Sequence, residues 1–385
     1  MDLKYGVVSV DDHVQEHPDV WTTRLSKATW GDRIPHVATQ KDGTQSWVVD
    51  GKPLALKGGA SAGVAAVGGS LINPVREPQR WEDVPKEAYV PAERLSAMNM
   101  DGIDISVLYP NVAGLAGEIF GRITDPALEL ACVQAYNDYL IDEWTSASPR
   151  FVAQCLVPLS SDTAAVQEIQ RAVKKGHRGV VFPAVPWHVK TDLPHINEPY
   201  YDPIWSTCEE LDVPLCFHAG SSEKLQFKTY EGQSLGIQAA LNAITRPISS
   251  AKLVPNLLFS GILDRHPRLQ VVFAESTLSW GSFTIESSDH HYNTMGVKDD
   301  GHPVMPSELF RRHCFFTTWY GESGMKERRF LGGPERLLWG TNFPLTTSTW
   351  PNTQNYIRRS FEGVPVNEQR KILFGNASQL YRLGL

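Results

Sequence analysis

Short apolar, β-branched runs recur along the chain, and most are separated by stretches with the 3.6-residue spacing of a helix. The first run, residues 5–11, passes through Val7, Val8 and Val10 and ends in Asp11, Asp12 and His13. Further runs lie at 103–109, 151–157, 178–183, 213–218, 269–275, 314–318 and 336–342. Between them, residues 126–144 place Leu128, Cys132, Ala135, Tyr136, Tyr139 and Leu140 on one helical face. Residues 163–175, 203–211, 235–263 and 367–380 also read as helical. Repeated alternation of strand and helix predicts an α/β fold, a parallel sheet closed into a (β/α)8 TIM barrel over residues 1–385. No Gly-x-Gly-x-x-Gly turn follows a strand, which counts against an open doubly wound sheet.

Residues 30–90 interrupt the alternation. Trp47, Val48 and Val49 precede Asp50-Gly51 and Pro53 to Leu56 follow it, a strong two-residue hairpin signal. Residues 58–69 are rich in Gly, Ala and Ser and read as a loop. The stretch is too long for an ordinary connection, so it is expected to be an insertion after strand one that covers the barrel mouth or a subunit contact, with a passive surface excursion the equal alternative.

Composition narrows the function classes only a little. Apolar residues make up 42% and charged residues 21% of the chain, as in a globular protein with a sizeable core. A formal charge of −7 argues against non-specific nucleic-acid binding, and no apolar run is long enough to cross a membrane. The five cysteines (Cys132, Cys155, Cys208, Cys216, Cys314) are odd in number and far apart. They predict reduced core thiols and a cytoplasmic protein.

The ends of the strands carry the chemistry. Side chains two apart on a strand share a face, so Asp11 and His13 point together while Asp12 points away. A carboxylate and an imidazole aimed at one point suit a divalent metal; a helix N-cap with an unrelated histidine is the alternative. Strand five ends in His218 followed by Ala219 and Gly220, strand six in Glu275, and strand eight in Asn342. In α/β barrels the active site lies at this end of the strands. The rim is also aromatic: Trp187 and His188 follow strand four, Trp280 follows strand six, Trp319 and Tyr320 follow strand seven, and Phe343 and Trp350 follow strand eight. These suggest a pocket for a flat, apolar or aromatic substrate. His188, Lys224, Arg246, Thr346 and Thr347 are candidates to hold a carboxylate or phenol. His266 belongs to the turn before strand six, at the opposite face.

Six segments together resemble a known family: Ser9-Val-Asp-Asp-His-Val-Gln-Glu16, Tyr200-Tyr-Asp-Pro-Ile-Trp205, Phe217-His-Ala-Gly220, Leu263-Asp-Arg-His-Pro-Arg-Leu269, Trp339-Gly-Thr-Asn-Phe-Pro344 and Ile372-Leu-Phe-Gly-Asn-Ala377. The chain resembles the amidohydrolase-related enzymes of the aminocarboxymuconate-semialdehyde decarboxylase type, which include resorcylate decarboxylases. The resemblance implies a divalent metal, zinc or manganese, held by a pair on strand one, a histidine on strand five and an aspartate on strand eight. Carried over, these are Asp11, His13, His218 and Asn342. Two positions depart from that pattern. Asn342 stands where the family has an aspartate that also moves protons, and a carboxamide brings no negative charge. Glu275 stands where the decarboxylases have a catalytic histidine; a buried glutamate is able to act as general acid/base, and anchoring a loop or pairing with an arginine is the equal alternative.

The expected catalytic residues are therefore Glu275, Asn342 and His218, with Trp187, His188, Trp319, Tyr320, Phe343 and Trp350 binding substrate. The expected function is metal-dependent non-oxidative decarboxylation of a cyclic or aromatic acid by a homodimer or homotetramer. Hydrolysis of an amide, ester or carbon–carbon bond by metal-activated water is the alternative within enzymes. A barrel without metal serving as a binding scaffold is the alternative outside them, and Asn342 is the feature that favours it. Restoring aspartate at position 342 is expected to raise turnover, unless Glu275 already carries the proton.

Overall fold

A computed structural model describes residues 4–41, 43–54, 78, 80–222, 232 and 234–384. Strand β1 is Val8–His13. A small antiparallel sheet follows, with β2 (His36–Thr39), β3 (Gln45–Val49) and β4 (Lys52–Pro53). The remaining strands are β5 (Ile105–Tyr109), β6 (Phe151–Ala153), β7 (Cys155–Leu156), β8 (Val180–Val181), β9 (Leu215–His218), β10 (Val271–Ala274), β11 (Cys314–Thr318) and β12 (Leu337–Trp339). Apart from the small sheet, every strand is buried along its whole length and pairs in parallel, as expected for strands covered on both faces.

The parallel strands form one ring of neighbours, the TIM barrel of the prediction. β1, β5 and β6 form one ladder, and β7 to β12 pair in sequence order to form another. β6 and β7 are a single strand interrupted at Gln154, and the Arg178 and Cys155 N–H groups carry pairing across the break to the Ala153 and Gly179 carbonyls. At the other seam, the Asn342 N–H donates to the Asp11 carbonyl at 2.7 Å and the His13 N–H to the Phe343 carbonyl at 2.6 Å. The chain beyond β12 thus pairs with β1, and the first and last strands meet.

Helical boundaries differ from the pattern-based expectation. Residues 235–263 are three helices, Leu235–Ile248, Ser250–Leu258 and Ile262–Arg265, the last preceded by Gly261 at φ +72°. The helix Pro126–Tyr139 continues into a wider π turn, Leu140–Thr145, and the last helical region contains a similar turn at Lys371–Gly375. Apolar periodicity runs through the break at Leu140 because Tyr136, Tyr139, Leu140 and Trp144 continue one buried face, whereas Ile237, Leu241, Ile244 and Ile248 are exposed.

In the insertion, Asp50 (φ +51°) and Gly51 (φ +71°) form the hairpin turn, with Val49 opposite Lys52. Strand β2 escaped the sequence reading, since its four residues are only partly buried and show no clear alternation. The buried Trp47 packs edge-on against Trp21 at 5.6 Å and joins this sheet to the main core. Farther along, the Ala88 carbonyl accepts the Gln15 N–H, and Trp81 and Tyr89 pack on His17. The end of the insertion therefore lies beside the chain leaving β1. Residues 58–69 fall outside the described residues.

Two buried carboxylates fix the barrel around β1. Asp12 accepts the hydroxyls of Ser9 (2.7 Å), Ser106 (2.5 Å) and Thr341 (2.5 Å) and the Phe343 N–H (3.3 Å). It ties β1 to β5 on one side and to the chain after β12 on the other. Glu16 accepts the N–H groups of Asn111 (3.1 Å) and Val112 (2.9 Å), fixing the loop after β5. Burial pushes the Glu16 carboxyl up to about 7, only partly opposed by those N–H groups.

That shift gives a signed pH dependence. The folded chain keeps the Glu16 proton until about pH 7, whereas the unfolded chain loses it near 4.5. Between those values the folded state binds more protons, so this group makes stability fall as pH rises. Removing it with Glu16→Gln is expected to flatten the decline by on the order of 3 kcal/mol across the window. Urea denaturation of both chelator-treated proteins measures this, and parallel pH profiles would exclude Glu16 as the titrating group.

Candidate metal centre

The buried ends of β1 and β9 bring three side chains together. The His13 and His218 Nε2 atoms lie 3.2 Å apart. Asp11 Oδ1 is 3.4 Å from His218 Nε2 and 3.6 Å from His13 Nε2. The pairing register of β1 with β5 shifts between Ser9 and Asp12, a bulge at the point where the ligand side chains must be aimed. Tyr109, the last residue of β5, packs its ring against His218 (5.2 Å) and His13 (5.9 Å) and backs both imidazoles. Sequence reasoning missed Tyr109, because an aromatic ending a strand reads as ordinary core.

The tautomers follow from the outer nitrogens. His13 Nδ1 lies 3.1 Å from the Pro110 carbonyl and His218 Nδ1 lies 3.0 Å from the Ala219 carbonyl, so each Nδ1 carries the donated hydrogen. Both Nε2 lone pairs then face the same point. Burial, and next the neighbouring His218, push His13 down to about 3, so it stays neutral. For His218, burial works against the charged form, but the Asp11 carboxylate overcomes it and raises the group. Burial likewise opposes the charge on Asp11, and His218 pulls it below the usual carboxylate range. The Asp11 carboxylate thus favours positive charge at this point, and a bound cation would supply it.

The donors fit a divalent cation. Atoms each about 2.1 Å from a tetrahedral ion stand about 3.4 Å from one another, which is the spacing of these three. Asp11 Oδ1 is buried with no hydrogen-bond partner, while Asp11 Oδ2 accepts the Glu275 N–H at 2.8 Å. Asn342 Oδ1 is also buried without a partner. The Asn342 amide nitrogen is occupied on both sides, donating to Glu275 Oε1 (3.0 Å) and to the Thr347 hydroxyl (2.6 Å). That fixes the amide with its oxygen as the atom left over. Two imidazole nitrogens, one carboxylate oxygen and one amide oxygen make a donor set suited to zinc or manganese.

Glu275 is buried beside this cluster. Its Oε2 is 3.7 Å from His218 Nδ1, and Arg246 Nη1 lies 3.4 Å from Oε1 and 3.5 Å from Oε2. Glu275 (φ +51°) and Asn342 (φ +58°) both adopt the left-handed conformation that non-glycine residues rarely take. Each side chain therefore leaves the direction its strand would give it.

The aromatic candidates separate into two groups. Trp319 is buried and donates to the Thr347 carbonyl, and Tyr320 packs on it while remaining 43% exposed at the rim. Trp187 stacks on His195, and His188 bonds to the Ser222 carbonyl. Phe343 and Trp350, expected at the pocket, instead form a packed cluster with Ala97 of the helix Pro91–Asp101. The buried Arg94, which the sequence reading did not single out, lies over the Phe343 ring at 4.4 Å and donates to the His13 carbonyl. Packing against that helix outweighs pocket exposure for these two rings. Trp280 packs on Phe316 and His266 lies at the end of Ile262–Arg265 before β10, while Lys224 is outside the described residues.

Known proteins share this framework. The amidohydrolase family profile matches residues 71–383. A 2-amino-3-carboxymuconate-6-semialdehyde decarboxylase of Dictyostelium discoideum is 21% identical over 269 residues, 69% of this chain and 69% of that protein. An amidohydrolase of Mycobacterium avium subsp. paratuberculosis superposes with a TM-score of 0.76 at 20% identity, covering 99% of this chain and 100% of that one. A dihydroxybenzoic acid decarboxylase of Polaromonas, solved with manganese and 2-nitroresorcinol, gives 0.61 at 19% identity and covers 79% of this chain and 90% of that one. With a family match over most of its length and a barrel that superposes throughout, the chain belongs to the amidohydrolase family.

Proposed function

We propose that the chain catalyses metal-dependent, non-oxidative decarboxylation of an aromatic or cyclic carboxylic acid carrying a hydroxyl next to the carboxylate. The observation that carries this is the joining of Asp11, His13 and His218, whose ligand atoms lie within 4.8 Å of one another, with the buried Glu275 carboxylate. The decarboxylase relatives supply the reaction class, and the manganese of the Polaromonas enzyme makes manganese the first metal to load, with zinc second. Asp11, His13, His218 and Asn342 would hold the ion. A bound divalent cation supplies a Lewis acid that orients the substrate oxygens and draws electron density from the ring.

The protein's own groups carry the proton. Glu275 Oε1 takes the Asn342 amide at 3.0 Å, and Oε2, approached by Arg246 only at 3.5 Å, takes the proton of the substrate hydroxyl. Oε2 then delivers it to the ring carbon as the carbon–carboxylate bond breaks. The bonding pair passes to the new C–H bond, carbon dioxide leaves, and no net oxidation occurs. In this reading Trp319 and Tyr320 bound a flat ring, with Trp187 and His188 from the short helix Pro186–Val189 after β8.

Residues 1–385 act in this reading as one barrel domain, with 30–90 as an insertion at its mouth. Five buried free cysteines support a reducing, cytoplasmic setting, and no described helix is long and apolar enough to cross a membrane. A homo-oligomer is supported by Ile237, Leu241, Ile244 and Ile248, which are 50%, 43%, 61% and 46% exposed along one helix. Their 4-3-4 spacing is that of a coiled-coil seam, and Arg246 is the only charged residue on that helix, so a second copy meets little repulsion there.

Three measurements test these statements. Manganese-loaded protein is expected to release carbon dioxide from 2,6-dihydroxybenzoate or a related acid, and Glu275→Gln to lower that rate by about 10²–10⁴-fold. Asn342→Asp is expected to bring no gain, because it sets a second carboxylate against Glu275 where an amide now donates. A tenfold gain from Asn342→Asp with an active Glu275→Gln would move the proton transfer to position 342. Elemental analysis of His218→Ala should find the metal lost, and full occupancy would exclude His218 as a ligand. Light scattering should find the wild type assembled and Ile244→Glu dissociated; a monomeric wild type, or a variant that stays assembled, removes this surface.

A further inference from the structure

Arg246 lies in the last turn of the helix Leu235–Ile248 and reaches the buried Glu275 through Nη1 alone. Both contacts are at the long limit of a hydrogen bond. Glu275 is 1% exposed, whereas the arginine side chain remains 31% exposed. Among the described residues the other guanidinium N–H groups make no hydrogen bond, and one edge of a five-donor fork has no partner there. Access to the site depends on Gly220, two residues after His218 and at φ +79°. A Cβ there would lie 2.6 Å from Arg246 Cγ, so the side chain rests on bare backbone. Glu275 Oε2 is in turn 3.7 Å from His218 Nδ1, so the guanidinium stands one carboxylate away from the metal donors.

Glu275 lies between Arg246 and those donors, and one carboxylate does not balance both a guanidinium and a divalent ion. Asp11 and Glu275 bring two negative charges, Asn342 and the two neutral imidazoles bring none, and Arg246 and a divalent ion bring three positive ones. The loaded site is then one negative charge short. A single carboxylate supplies it, and a guanidinium edge matches the two oxygens of a carboxylate.

We infer that Arg246 binds the carboxylate of the substrate and selects a carboxylate over a neutral group of the same shape. This rests on the decarboxylase reading for the substrate class, but its test does not need turnover. The probes are 2-hydroxybenzoate and its neutral isostere 2-hydroxybenzamide, titrated calorimetrically into manganese-loaded wild type, Arg246→Gln and Arg246→Lys, with metal content measured in each. The wild type is expected to bind the carboxylate at least tenfold more tightly than the amide. Arg246→Gln should weaken carboxylate binding at least tenfold, leave amide binding within twofold and keep its manganese, while Arg246→Lys recovers part of the loss.

Unchanged carboxylate affinity in Arg246→Gln, equal loss of both probes, or a wild type that binds neither would overturn the assignment. A wild type that binds the carboxylate through Arg246 yet releases no carbon dioxide would overturn the decarboxylase reading and leave the assignment standing.

Discussion

The seam between β1 and the chain after β12 is the constraint on which the rest depends. Asn342 donates its backbone N–H to the Asp11 carbonyl, and His13 donates to the Phe343 carbonyl. Those two bonds join residues more than three hundred positions apart and put two candidate ligands of β1 beside the candidate ligand of the last strand. Asp12 reinforces the seam from the other face of β1, gathering hydroxyls from Ser9, Ser106 and Thr341. Alternation along β1 thus divides the work: odd positions 11 and 13 face the site, and position 12 holds the strands that carry it.

The centre is built from groups that are costly to bury unless something completes them. An unpaired buried acceptor costs about 1–3 kcal/mol, and Asp11 Oδ1 and Asn342 Oδ1 are two of them. Their neighbours are otherwise satisfied: Asp11 Oδ2 takes the Glu275 N–H, and the Asn342 nitrogen has both Glu275 and Thr347. Asp11 Oδ1 is left facing the two histidine Nε2 atoms, a group of three suited to a cation. The left-handed backbone at Glu275 and Asn342 is a second local cost at the same place, of about 1–3 kcal/mol each.

Glu275 is where the two layers of the site meet. Its backbone N–H orients Asp11, its carboxylate holds the Asn342 amide, and its outer side faces Arg246. With glutamate here and asparagine on the last strand, the negative charge lies on strand six. The asparagine is therefore a bonded partner of the glutamate and fits the site as it stands. An aspartate in its place would lose the donated hydrogen bond and gain repulsion.

Much of the framework was legible in the sequence, because strand burial and side-chain alternation are local properties. The eight apolar runs mark the eight barrel strands, the Asp50-Gly51 turn marks its hairpin, and the i, i+2 rule alone separates Asp11 and His13 from Asp12. His218 and Glu275 were visible as polar residues ending or following apolar strands. Only the tertiary structure decided the rest. The Asn342 amide is oriented by Glu275 and Thr347, and Arg246 finds its partner 29 residues away across two helices and a strand. Tyr109 backs two histidines from different strands, and Phe343 and Trp350 go to a helix instead of the pocket. Periodicity says which face a side chain takes; which partner it meets there depends on strands that neighbour one another only once the ring has closed.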